Sequence, residues 1–162
     1  METRKKFLWI GEDKVEREYN CYIRYSNHCY TEEIKNGRVE LVDDVIFIKN
    51  KVRRVFCPVR YENTQEINKI LSNIFDKPNI KIGVTSKNNC HVFKLYHNIK
   101  NKDKLCVFFS IKNRGLADIT TRIHDLKVTV ESAYVRSNKV TVKGNQMLGR
   151  IADRVINKRK IL

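Results

Sequence analysis

What this sequence lacks narrows its reading first. No stretch approaches the roughly 20 consecutive apolar residues that a membrane-spanning helix needs, so no membrane-spanning segment is expected. The N-terminal segment Met1-Glu2-Thr3-Arg4-Lys5-Lys6-Phe7-Leu8-Trp9-Ile10-Gly11 is basic, but its apolar run is only four residues long. A secretory signal needs about 7–15 apolar residues and a small-residue cleavage site, so a cytoplasmic location is the expectation. The chain has no Gly-x-x-x-x-Gly-Lys loop, no Gly-x-Gly-x-x-Gly, no Gly-x-Ser-x-Gly and no His-Glu-x-x-His. Phosphate-loop nucleotide hydrolysis, Rossmann cofactor use, serine hydrolase chemistry and zincin chemistry therefore lose support, and no cofactor is expected. No internal repeat, low-complexity segment or linker rich in Pro, Gly and Ser divides the 162 residues. They read as one domain, 1-162, long enough to bury about two-thirds of its unfolded surface.

Acids are few against bases, 18 Asp and Glu to 33 Lys and Arg, which leaves a formal net charge of +15. Such an excess favours a polyanionic partner, because each phosphate contact releases a condensed counterion. Nucleic acid heads that class, RNA before DNA; an acidic protein or an anionic membrane surface is the alternative, and oligomeric state is left open. The five cysteines (Cys21, Cys29, Cys57, Cys90 and Cys106) are odd in number, widely spaced and without a Cys-x-x-Cys pair, as free thiols in a reducing compartment are.

The pattern along the chain is mostly β. Residues 6–10 read as a first strand ended by a Gly11-Glu12-Asp13 turn, and residues 18–25 as a second, with Tyr19, Cys21, Ile23 and Tyr25 alternating. A charged loop with an Asn36-Gly37 hairpin signal follows, then strands at Val39–Val42 and Val45–Ile48 around Asp43-Asp44, a pair read as turn chemistry rather than as metal ligands. Asn63-Thr64-Gln65-Glu66 has the form of a capping box. It opens a helix with Ile67, Ile70, Leu71, Ile74 and Phe75 on one face, stopped by Lys77-Pro78. Beyond it, strands at 80–84, 90–96, 105–111, 126–134 and 140–142 are separated by turns, one of them Asn113-Arg114-Gly115. A last helix spans Gln146 to Lys160, with Arg150, Arg154 and Lys158 sharing a face. The expected fold class is α+β: an antiparallel meander sheet with one or two packed helices.

Three constellations carry chemistry. His28-Cys29, Cys57 and Cys90-His91 have zinc-ligand types, but neighbours on a strand point to opposite faces and chelate poorly. Cys29 beside His28, or Cys57 among Arg53, Arg54 and Arg60, has the setting of a nucleophile. Metal-independent RNA cleavage suits the charge best. It needs a base for the ribose 2′-hydroxyl, an acid for the leaving 5′-oxygen and cations on the phosphate. His28 titrates in the right range, Arg60 suits bidentate phosphate contact, and Tyr30, Tyr61 and Tyr134 suit stacking or proton donation. Arg53, Arg54, Arg150, Arg154 and Lys158 complete the expected nucleic-acid contacts. His124 and Glu131 are spare acid/base groups, although in a regular strand Glu131 faces away from Ser132 and Tyr134.

Ser26-x-His28-Cys29-Tyr30-Thr31, Phe56-x-x-x-Arg60-Tyr61 and Val130-x-Ser132-Ala133-Tyr134, together about a tenth of the chain, resemble a pattern in small uncharacterised proteins of bacteria and their mobile elements. No established activity attaches to that pattern. The resemblance implies that His28, Arg60 and Tyr134 meet in space. The layout is also similar to ribonuclease toxins of the barnase and RelE kind, an analogy of fold alone. The expectation is a basic RNA-engaging protein, in its catalytic form a metal-independent endoribonuclease of toxin type. The alternatives are a non-catalytic nucleic-acid-binding or anti-defence module, and a structural protein that binds an acidic partner.

Overall fold

The computed structural model describes residues 2–34, 45–49, 52–87, 90–98, 104–118, 120, 122–136 and 142–162. Strands β1 (Glu2–Ile10) and β2 (Glu16–Tyr25) form a hairpin around the Gly11 turn, closed by Gly11 N to Val15 O at 3.0 Å. Beyond β2 comes one 3₁₀ turn (Asn27–Cys29), then β3 (Thr31–Glu33), β4 (Val45–Lys49), β5 (Val52–Phe56) and helix α1 (Pro58–Ser72). The second half supplies β6 (Lys81–Lys87), β7 (Cys90–Asn98), β8 (Lys104–Asp118), β9 (Ile123–Arg136), β10 (Gly144–Met147) and α2 (Leu148–Ile156). The fold is α+β, with two helices on a mostly antiparallel sheet.

The large sheet runs β1-β2-β9-β8-β7-β6-β10 and a small one runs β3-β5-β4. Only β6 to β9 form the expected meander. The β1–β2 hairpin joins it through a parallel pairing of β2 with β9, Glu18 opposite Ile123 through Tyr25 opposite Val130. Alternation explains the two faces. Phe7, Tyr19, Cys21, Ile23, Phe109, Ile111, Leu126, Val128 and Val130 point to one side and are buried together with Ile67, Leu71 and Phe75 of the α1 region and Leu148, Ile151 and Ala152 of α2. Both helices thus cover the same face, and on the opposite face of β1, β2, β9 and β8 Arg4, Lys112 and Lys127 are exposed while Asn20 is buried.

Several elements differ from the sequence pattern. Helix α1 begins at Pro58, a residue whose fixed φ and missing N–H suit a first helical position. The Asn63–Glu66 capping box does not form, because Thr64 lies inside the helix with its hydroxyl 2.5 Å from the Cys29 carbonyl and 2.8 Å from that of Arg60. Asn113-Arg114-Gly115 is no turn: β8 runs through it to Asp118 with irregular register, and Gly115 adopts φ +125°. The last strand is Gly144–Met147, and Val142 lies before it outside any element. Helix α2 ends at Ile156, so Lys158, at φ 53°, has already left the helix. The Asn36-Gly37 turn, the 39–42 strand, Asp43-Asp44 and Val140 lie outside the described residues.

Helix α2 is fastened to the hairpin by charge as well as by apolar contact. Buried Asp153 accepts from Arg17 Nη1 at 3.3 Å and from the Tyr19 hydroxyl at 3.4 Å, while Arg17 also pairs with Asp13. Glu12 receives Arg150, Arg154 and Arg159 at 3.5, 2.9 and 3.3 Å. No helix among the described residues is long and apolar enough to cross a membrane.

Candidate functional site

The turn after β2 is a mount built from hydrogen bonds. Ser26 is tied to β9 twice: its N–H donates to the Val130 carbonyl at 2.9 Å and its hydroxyl to the Glu131 carbonyl at 2.7 Å. The Thr31 hydroxyl donates to the Asn27 carbonyl at 2.6 Å, which closes the turn on itself. Arg54, only 6% exposed, donates through Nε to the Thr31 hydroxyl (2.7 Å) and through Nη2 to the Thr31 carbonyl (2.9 Å). Arg60 Nη1 reaches the same carbonyl at 2.7 Å and the His28 carbonyl at 3.3 Å. Ser26, Thr31, Arg54 and Arg60 are thereby engaged in holding the turn, and His28 is its exposed residue.

Electrostatics around that imidazole are mixed. Partial loss of hydration, then the charges of Arg54 and Arg60, hold His28 below the ordinary histidine value, while Glu131 and Glu33 pull the other way. Strand β9 is irregular at Glu131. Phe108 pairs with Ser132 and Phe109 with Val130, so Glu131 has no partner opposite it and the strand bulges there. A bulge re-aims side chains. Here it changes the alternation that in a regular strand sets Glu131 against Ser132, and Glu131 accepts from the Ser110 hydroxyl at 3.1 Å.

The other expected residues divide clearly. Tyr61 packs on Phe56 with ring centroids 5.5 Å apart, both about half exposed and next to Arg60. Tyr30 is half-buried against the core, so it is less free to stack on a base. Arg53 is exposed on β5. Arg54, expected to contact nucleic acid, is instead the buried brace of the turn. Arg150 and Arg154 share Glu12 as counterion, and Lys158 is exposed beyond the helix. Tyr134 pairs with Cys106 in the β8–β9 ladder, and its side chain lies outside the described residues.

Thiol chemistry is disfavoured at two of the cysteines. Burial pushes the Cys29 thiol up to about 11 and that of Cys21 up to about 12, and Cys29 Sγ donates to the Val130 carbonyl at 3.4 Å. A thiol held so high supplies little thiolate near neutrality. Among the described residues no three His, Cys, Asp or Glu side chains gather where they could hold a metal.

Two features carried no local signal. Trp9 borders a cavity of about 430 Å³ with Lys81, Asn145, Gln146, Met147 and Arg150, at the end of the hairpin away from His28. On the open sheet face, Arg4, Tyr22, Lys127 and Lys112 stand opposite one another across four strands. The Arg114 guanidinium lies 4.3 Å from the Tyr22 ring centroid and that of Arg4 lies 5.5 Å from it. Strand pairing, not sequence spacing, brings these side chains together.

A family model described as the YjaZ family matches residues 6–157 of the chain. No curated protein and no solved structure matches it.

Proposed function

The chain belongs to the YjaZ family, and we propose that it is a basic RNA-engaging protein that cleaves RNA without a metal at the His28 turn. One observation carries this reading: a solvent-facing imidazole on a hydrogen-bonded mount, beside the Arg60 guanidinium and in the field of the Glu131 carboxylate. Near neutrality His28 is mostly in its neutral form, which suits a base. It takes the proton of a ribose 2′-hydroxyl as that oxygen attacks the adjacent phosphorus, and the bond from phosphorus to the 5′-oxygen breaks. Arg60 meets the charge that gathers on the phosphoryl oxygens. The leaving 5′-oxygen takes its proton from water. The Phe56–Tyr61 pair beside Arg60 offers an aromatic platform for a flanking base. The Ser26–Thr31, Phe56–Tyr61 and Val130–Tyr134 segments would then be parts of one site, the finer pattern that this reading adds to family membership.

The test is incubation of purified protein with labelled total RNA and with single- and double-stranded DNA, in EDTA at near-physiological salt, with His28→Ala alongside. Cleavage of RNA by the wild type alone, persisting in EDTA, is the expected result. Binding without cleavage, equal in the two proteins, would overturn the catalytic reading and leave the alternative of a non-catalytic nucleic-acid-binding module, which the cations of the open sheet face favour.

A further inference from the structure

The open face of the large sheet carries charge in a pattern that a solvated surface does not need. Taken across β1, β2, β9 and β8, its register rows read Glu2–Arg24–Thr129–Ser110, then Arg4–Tyr22–Lys127–Lys112, then Lys6–Asn20–Asp125–Gly115. The acids of the outer rows are engaged: Glu2 pairs with Arg24, and Asp125 accepts from Asn20 Nδ2 at 2.9 Å. The middle row contains no acid. Lys127 stands directly opposite Lys112, both exposed, and neither has an ion pair among the described residues. Like charges directly opposed across strands are destabilising. Arg114, displaced by the irregularity before Gly115, lays its guanidinium over Tyr22 and adds a further cation to that row.

We propose that this row is the binding track for single-stranded RNA, leading to the His28 turn. The inference rests on the reading of the protein as RNA-engaging and names where and in what form the RNA lies. At about 4.8 Å between strands the row is some 15 Å wide, and its neighbour row ends at Thr129 and Ser110, beside Glu131. A sheet face with two guanidinium groups held over a tyrosine offers stacking surfaces to splayed bases and separate cations to their phosphates. Duplex RNA keeps its bases inside and its deep groove closed to side chains, so it gains the charge and loses the stacking.

The experiment is fluorescence anisotropy of a labelled single-stranded RNA, with duplex RNA, single-stranded DNA and anionic phosphatidylserine vesicles as competitors, all in the His28→Ala background so that turnover plays no part. Four phosphate contacts, to Arg4, Lys112, Arg114 and Lys127, give a salt slope of about −2.8 for a single strand, so affinity falls roughly 50-fold over a fourfold rise in salt. Lys112→Gln with Lys127→Gln halves that slope, and the same rise in salt then costs only about sevenfold. Tyr22→Leu keeps every charge and removes the ring; a two- to fivefold loss is expected.

Wild-type affinity and slope in the double variant would overturn the track. So would duplex RNA or vesicles displacing the strand as well as unlabelled single-stranded RNA does. The catalytic reading fails separately. If the parent chain with His28 intact binds on this face but cleaves nothing, the track stands and the ribonuclease does not. If cleavage depends on His28 while the sheet variants bind normally, the ribonuclease stands and the track does not.

Discussion

Gly149→Ala tests how the two ends of the large sheet are joined, because α2 starts at the β10 edge and its second residue rests on Trp9 of the opposite edge strand. A Cβ added at 149 would lie 2.2 Å from both Cδ2 and Cε3 of the indole and 2.7 Å from Cγ, against the roughly 3.5–4.0 Å at which carbon atoms rest. The helix cannot retreat. Its first N–H groups donate to the Ile80 carbonyl at 3.0 Å and the Pro78 carbonyl at 2.9 Å, and Asp153 is held by Arg17 and Tyr19. Two effects compete. Alanine gains about 1 kcal/mol over glycine in a helix, and over-packing costs about 1–3 kcal/mol. A rigid, planar indole puts the cost at the upper end, which leaves a net loss of about 1–2 kcal/mol. For a chain of this size that lowers the melting temperature by about 2–8 °C. Relief comes only if the indole turns into the adjoining cavity of about 430 Å³. Trp9 is the one tryptophan in the chain, so its emission should shift to the red as it moves toward water. A double variant with Trp9→Ala should recover much of the loss relative to Trp9→Ala alone. Melting at or above wild type with unchanged emission would refute the packing argument.

Leu71→Ala, at a fully buried position of α1, should cost about 2–5 kcal/mol in chemical denaturation; a loss below 1 kcal/mol would mean that α1 is not seated on the sheet as described. Lys112→Gln with Lys127→Gln should raise stability by about 0.2–1 kcal/mol while it weakens RNA binding, a trade that a merely solvated pair would not show. Arg54→Ala should lower stability by about 1.5–3 kcal/mol, because the Thr31 carbonyl and hydroxyl lose a charged donor, and should leave the salt slope of binding unchanged. His28 and His124 both titrate below the ordinary value of 6.5, His28 through lost hydration and then Arg54 and Arg60, His124 through burial and then Arg17. The unfolded chain then takes up protons that the folded one refuses. Their contribution to stability is complete above about pH 6.5 and lost as pH falls through the lower folded values. His28→Asn should flatten that loss in melts between pH 7 and 5, and an unchanged profile would count against the crowding of the imidazole by arginines.

Where local pattern alone decided an element, the sequence was enough. The alternation of Tyr19, Cys21, Ile23 and Tyr25 specifies β2, and the Ile67–Leu71 stripe specifies the buried side of α1, because each needs only its own period to choose a face. Turn chemistry misled where tertiary partners compete for the same groups. Thr64 has the form of a cap residue, yet its hydroxyl is taken inside the helix by carbonyls of Cys29 and Arg60. Asn113-Arg114-Gly115 has the form of a turn, yet the Asn113 side chain accepts from the Gly115 N–H at 2.8 Å within a continuing strand. Those three residues make an irregularity that carries Arg114 onto Tyr22.

The candidate site was legible in the same partial way. His28 and Arg60 were brought together at the sequence level only by the resemblance of their motifs to a known pattern, and the structure places Arg60 Nη1 3.3 Å from the His28 carbonyl. Glu131 was legible only as a spare acid/base group facing away from Ser132 and Tyr134, and the unpaired position opposite Phe108 and Phe109 breaks that alternation. Arg4, Tyr22, Lys112 and Lys127 come from four segments and are neighbours solely through ladder register, including one parallel pairing between segments a hundred residues apart. Charge that strand pairing assembles leaves no trace in spacing. That is why the +15 excess was visible in the sequence while the row formed by Arg4, Lys112 and Lys127 was not.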